Sequence, residues 1–147
     1  MREINDLFSV QGKVVIVTGA AKGNGKVIAE GFLKGGSVVY GVDILDEIEN
    51  IKVLKSGFGY PVKCDLRNKE EIEKLTTRII DYHGRIDVLI NNAGISLTPL
   101  DPYDDEVWDQ TFAINVKAAF MLSKRAAQVM MMQRVGAIIN STSLVSM

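Results

Sequence analysis

The segment TGAAKGNG, Thr18–Gly25, puts three glycines and one lysine into eight residues directly after an apolar run. Gly19 permits a tight turn. Gly23 and Gly25 lack a β-carbon, so backbone N–H groups there can approach a phosphate. A helix that starts at this point adds partial positive charge at its N-terminus. The bland alternative is a glycine-rich turn with no ligand, but after a buried strand the pattern favours nucleotide binding. Asp43 ends a second apolar run, KGGSVVYGVD. A carboxylate there can accept hydrogen bonds from both ribose hydroxyls of an adenosine, and it disfavours a 2′-phosphate. Lys22 pulls the other way, because a cation in the loop could pair with that phosphate. Asp43 should dominate, so NAD is the expected cofactor and NADP the possible one.

Further polar groups follow other apolar runs. Asp65, in CDL, is placed either to contact an adenine edge or to cap the following turn. Asn91 and Asn92 can tie neighbouring strands together or touch a cofactor ribose; Asn91 reads as mainly structural. Asn115 is the odd residue on an apolar stripe. A buried amide there could meet backbone groups at a helix break, hold a water in a proton path, or both. Asn140–Ser143 place a cluster of hydroxyls after GAII.

The elements that position these groups alternate. Strands are expected at Lys13–Thr18, Val38–Val42, Tyr60–Cys64, Ile86–Ile90 and Ala137–Ile139, all but the short Tyr60–Cys64 read as buried. Helices are expected at Lys26–Lys34, weakly at Asp46–Lys55, and after the capping pair Asn68 and Glu71. The last of these carries the stripe Ile72, Leu75, Ile79 and Tyr82 and stops at Gly84. A long helix with a break spans Asp104–Val135. Its stripe is Trp108, Phe112, Asn115, Ala119, Leu122, Ala126 and Val129. Strand and helix in alternation imply an α/β fold, a doubly wound parallel sheet, which binds ligands at the carboxyl ends of its strands. Every polar cluster above falls at such an end.

The remaining signals exclude more than they assign. The chain has 147 residues, one domain's worth, and a net charge of −1, which gives no footing for nucleic acid. No apolar run approaches the ~20 residues of a membrane span. The charged N-terminus does not resemble a signal peptide. One cysteine, Cys64, excludes an internal disulfide and suggests a reducing, cytoplasmic setting. It reads as a core thiol. His83 reads as a helix cap, Met130–Met132 as core or subunit contact, and no metal-ligand spacing occurs.

Taken together, these residues resemble the short-chain dehydrogenases/reductases. TGAAKGNG is similar to that family's TGxxxGxG loop, with Asn24 where an aliphatic residue is usual. CDL (Cys64, Asp65, Leu66) and NNAG (Asn91, Asn92, Ala93, Gly94) resemble its adenine-contact and strand-four motifs. Asn115 matches its helix asparagine, and IINSTS (Ile138–Ser143) the strand carrying its catalytic serine, with Ser143 in that role.

The resemblance implies a Rossmann-type sheet of five strands in the order 3-2-1-4-5. The implied cofactor site is Gly19, Lys22, Gly23, Asn24, Gly25, Asp43, Asp65, Leu66, Asn91, Ala93 and Gly94. Ser143 and Asn115 would act in hydride transfer between a nicotinamide and a carbonyl or alcohol substrate, in a homo-oligomer. The family also uses a tyrosine with a lysine four residues later. Here Tyr40, Tyr60, Tyr82 and Tyr103 are followed at that distance by Ile44, Cys64, Ile86 and Val107. The expectation is therefore an incomplete dinucleotide-binding domain over residues 1–147, shortened within the active site and inactive alone. A nucleotide-sensing module and one half of a split enzyme are the alternatives.

Overall fold

A computed structural model describes residues 8–51, 57–96 and 104–142. Five parallel strands form one sheet in the order β3-β2-β1-β4-β5. They are β1 (Val14–Thr18), β2 (Val38–Asp43), β3 (Phe58–Lys63), β4 (Val88–Asn91) and β5 (Ala137–Asn140). β1 is buried along its whole length, as its unbroken β-branched run requires. It pairs with β2 from Val14–Val38 to Thr18–Val42 and with β4 from Val15–Val88 to Val17–Ile90.

The sheet separates two apolar layers. Helix α1 (Gly23–Lys34) covers one face, packing Ala29 and Leu33 with Val15, Val17, Val39 and Ile48. The other face takes Val14, Ile16, Val42 and Leu89. Against it pack Ile72, Leu75 and Ile79 of α2 (Lys69–His83) and Leu122, Ala126 and Val129 from the long final helix. Cys64 is buried in this layer, and burial pushes its thiol up to about 11.

Helix α2 begins as its sequence indicates. The Asn68 side-chain oxygen accepts from the backbone N–H groups of Glu70 and Glu71, and its amide donates to Glu71. The second Glu71 oxygen accepts from the Asp65 N–H at 2.7 Å, so this cap also fixes the turn leaving β3. Gly84 closes the helix at a φ of 66°.

The long helix is broken, as expected. α3 (Asp105–Phe112) runs into a π-helical segment, Ala113–Ala118, and then α4 (Ala119–Gln133). The wider turn shifts the phase of the stripe. Leu122, Ala126 and Val129 reach the core, whereas Trp108 is 69% exposed and Phe112, Val116 and Phe120 are exposed with it. Period alone predicted one continuous buried face; no residue of α3 is buried, and the packed face begins only at Ala118.

Several other expectations are corrected. β5 is not buried: Ile139 is 49% exposed, because among the described residues β5 pairs only with β4. Tyr82 lies outside the buried stripe of α2, being 73% exposed. The segment after β2 is a short 3-10 turn, Asp46–Asn50, and the rest of the helix expected to Lys55 lies outside the described residues. β4 starts two residues after Ile86, whose backbone is instead bracketed by the Gln133 side chain. His83 does not cap its helix. Its Nε2 pairs with the Tyr40 hydroxyl at 2.9 Å, and its ring packs edge-on against Tyr40, Tyr60 and Tyr82. That burial lowers its pKa. Met130 is buried, while Met131 and Met132 are exposed.

Candidate functional site

The first turn after β1 is held from beneath. The Thr18 hydroxyl accepts from the N–H groups of Asn92 and Ala93, each at 3.0 Å, and donates to the Ile90 carbonyl at 3.3 Å. In return the Asn92 amide donates to the carbonyls of Thr18 at 3.1 Å and Gly19 at 3.4 Å. These bonds stitch the carboxyl ends of β1 and β4 together. They also explain the glycines. Gly19 has a φ of 67°, and a β-carbon on it would stand 2.9 Å from the Ala93 Cα. A β-carbon on Gly25 would overlap the Gly19 carbonyl oxygen. Gly23 faces open space at a φ of 56°.

Helix α1 then starts at Gly23 with no side chain capping its first amides and no acidic residue in its first turn. The positive end of its dipole is left unneutralised, which suits an anion.

Asp43 sits beside this loop. One carboxylate oxygen accepts from the Ala21 N–H at 3.0 Å and the other from the Leu45 N–H at 3.1 Å. Two backbone bonds fix its plane, and each oxygen keeps acceptor capacity for a hydroxyl. The neighbouring strand delivers Asp65, which accepts Arg67 Nε at 3.0 and 3.1 Å and Arg67 Nη2 at 2.7 Å. The Arg67 guanidinium holds the Asp65 carboxyl below its ordinary range.

Gly19, Lys22, Asp43, Asp65, Leu66, Ala93 and Gly94 line one cleft of about 530 Å³ at the carboxyl edge of the sheet. Among the described residues Lys22 makes no ion pair. A second groove, about 730 Å³, runs along α2 from Glu70 to Tyr82 with Arg125 on its rim. It lies over a helix surface carrying charges of both signs and receives no strand end, so the chemistry belongs to the first cleft.

Five expected residues, Gly23, Asn24, Gly25, Asn91 and Asn115, do not line that cleft. Asn91 is buried, and its amide donates to Ser123 at 3.0 Å and Asn140 at 2.9 Å. It joins β4 to β5 and α4, in line with its mainly structural reading. Asn24 is exposed in the first turn of α1, and Gly25 is buried beneath the loop. Asn115 is exposed rather than buried, and it lies in the π-helical segment. Its side chain exchanges two hydrogen bonds with the Ile95 backbone, each at 2.9 Å, which is the backbone-meeting role at a helix break. Ser143 lies outside the described residues.

Sequence reading missed Arg67, Ile95, Gln110 and Ile114, all on the cleft wall. Arg67 could have been found from its place two residues after Asp65. Ile95 and Ile114 carry no chemical signal in their types, and Gln110 stands outside the motifs.

Residues 13–147 match the short chain dehydrogenase family. The NAD-dependent glycerol dehydrogenase of Listeria innocua is 32% identical over 141 residues, covering 95% of this chain and 56% of its own length. The 3-oxoacyl-[acyl-carrier-protein] reductase FabG of Thermotoga maritima is 34% identical, covering 92% of this chain and 57% of its own length. A crystal structure of a metagenomic short-chain oxidoreductase in complex with NADP superposes with a TM-score of 0.87 at 33% identity, covering 93% of this chain and 65% of that one. The chain thus spans little more than half the length of the curated relatives it matches. The family match over residues 13–147 and the strand order shared with the solved neighbour agree, and the chain belongs to the short-chain dehydrogenase family.

Proposed function

We propose that this chain supplies the cofactor-binding part of an NAD(P)-dependent oxidoreductase that transfers hydride between a nicotinamide and a carbonyl or alcohol carbon. The observation that carries the reading is the convergence of the glycine turn, Asp43 and Asp65 on one cleft. The uncapped start of α1 would take the phosphates, Asp43 the adenosine ribose, and Asp65 with Leu66 the adenine. Ala93 and Gly94 form the wall that continues towards the nicotinamide. When bound, the cofactor would donate hydride to a carbonyl or accept it from an alcohol; the residues here would hold and orient it.

NAD is the preferred cofactor in this reading. The Asp43 carboxylate would face a 2′-phosphate as like charge, and Lys22 would offset that only in part. One relative's name specifies NAD and one solved neighbour holds NADP, so the ranking rests on the chemistry of Asp43.

Ser143 is assigned to orient the substrate oxygen. Asn115 is assigned to the proton path, where its spare acceptor and donor capacity beyond Ile95 could hold a water. No tyrosine of the chain has lysine four residues on, so the chain alone binds dinucleotide without turning it over. Positioned proton transfer is worth ~10²–10⁴-fold in rate, and an alkyl hydroxyl is too weak an acid to replace it. The exposed apolar row Trp108, Phe112, Val116 and Phe120 supports self-association in this reading.

The test is a calorimetric titration of the chain with NADH and NADPH, followed by an absorbance assay with ketones and keto-sugars. Tighter binding of NADH, a narrowed preference in Asp43→Ala, and no turnover are expected. Tighter binding of NADPH overturns the ranking. Turnover that disappears in Ser143→Ala overturns the inactivity of the isolated chain.

A further inference from the structure

Asp65 lines the cleft through a carboxylate whose direction its own backbone does not determine. Arg67 determines it. The guanidinium approaches both carboxylate oxygens, with Nε 3.0 Å from Oδ1 and 3.1 Å from Oδ2, and Nη2 2.7 Å from Oδ2. The Arg67 backbone N–H adds a fourth bond to Oδ1 at 2.9 Å. Side chain and main chain of one residue thus grip one carboxylate, and Arg67 itself also lines the cleft. Behind them the Asp65 N–H is fixed by Glu71.

We infer that Arg67 is a positioning residue for recognition of the adenine ring, holding the Asp65 carboxylate where it accepts the exocyclic amine of adenine and rejects a purine carrying a carbonyl there. This inference rests on the cofactor reading given above. The geometry supports it in two ways. The planar fork fixes the carboxylate plane, which a lysine ammonium could not do. The Nε–H is shared between the two oxygens, so three donor hydrogens meet about four acceptor sites and the grip leaves room for one ligand N–H.

A merely structural role is a weak alternative. The Arg67 side chain is 44% exposed, and exposed ion pairs contribute little to folding. Removing the guanidinium should therefore leave the fold standing and free the carboxylate to swing. The directional bond to the ring amine is then lost, while phosphate and ribose contacts remain.

The experiment compares the affinity of the chain for NADH with its affinity for the reduced hypoxanthine dinucleotide, in which a carbonyl replaces the amine. A hydrogen bond between charged and neutral groups supports a preference of ~10-fold or more for NADH in the unsubstituted chain. Arg67→Met should bring the two affinities to within about threefold, with an unchanged urea midpoint, and Arg67→Lys should restore only part of the preference. Asp65→Asn should lose it as well. If Arg67→Met keeps the full preference, or increases it, the positioning role is overturned while the cofactor reading stands. If the unsubstituted chain binds neither dinucleotide, the cofactor reading fails and this inference fails with it. A large drop in the urea midpoint of Arg67→Met would make the residue structural and would equally overturn the inference.

Discussion

Asn115 and Gln133 clamp the two ends of one strand. Asn115 brackets the backbone of Ile95, just past β4, and Gln133 brackets that of Ile86, just before it; all four bonds are 2.9 Å. The lengths agree. The helical stretch from Asn115 to Gln133 is about 27 Å at the usual rise, and the chain from Ile86 to Ile95 reaches about 30 Å when extended. Each carboxamide presents one acceptor and one donor in the spacing that a neighbouring strand would offer.

Asn115→Ala therefore removes two hydrogen bonds and frees the segment that carries Gly94. We expect about 1–2 kcal/mol of lost stability by urea denaturation, together with weaker NADH binding. Asn115→Asp, which keeps the acceptor and loses the donor, should fall between the two.

The glycines of the loop are separable by substitution. Gly25→Ala forces a methyl group into the Gly19 carbonyl, against backbone that cannot give way. It should cost about 3 kcal/mol or more and abolish dinucleotide binding. Gly23→Ala meets nothing, and its cost is the positive φ, about 1 kcal/mol. Calorimetry on both variants checks the contrast, which a uniform requirement for flexibility would not produce.

These positions show what the sequence made legible. Gly19, Asp43 and the parallel order were readable, because a glycine turn after a β-branched run and an acid at a strand end have few structural meanings. The partner of Asn115 was not readable, since an amide that bonds to a backbone atom leaves no trace in the identity of Ile95. Nor was the exposure of Trp108 and Phe112. Apolar period records which residues share a face, not whether anything covers that face, and no residue of α3 is buried. Ala137, Ile138 and Ile139 have the composition of a buried strand, but composition does not say which neighbours a strand has.

Asp87 gives the stability its acid limb. Burial pushes its carboxyl up, but Arg85, the Val14 N–H and Lys13 outweigh that and hold it below the ordinary range. A depressed carboxyl contributes stability above its unfolded value near pH 4, and that contribution disappears as pH falls through the folded value. Asp87→Asn should thus cost about 1–3 kcal/mol at pH 7 and flatten the decline below pH 4, read from urea midpoints across pH.

Arg134 ends α4 in the left-handed region, at a φ of 58°. A side chain there is strained, and its N–H still closes the helix through the Met131 carbonyl. Arg134→Gly should raise stability by about 1 kcal/mol with dinucleotide binding unchanged, measured as a shift in thermal midpoint.

The reciprocal bonds between Thr18 and Asn92 bear on how such a protein can be altered. Thr18 and Asn92 lie far apart in sequence, yet the side chain of each bonds to the backbone of the other. A glycine turn grafted alone into another sheet would arrive without the amide that holds its carbonyls. Thr18–Gly25 is therefore not a portable cassette, and exchanging it between relatives should succeed only when Asn92 and its neighbours move with it.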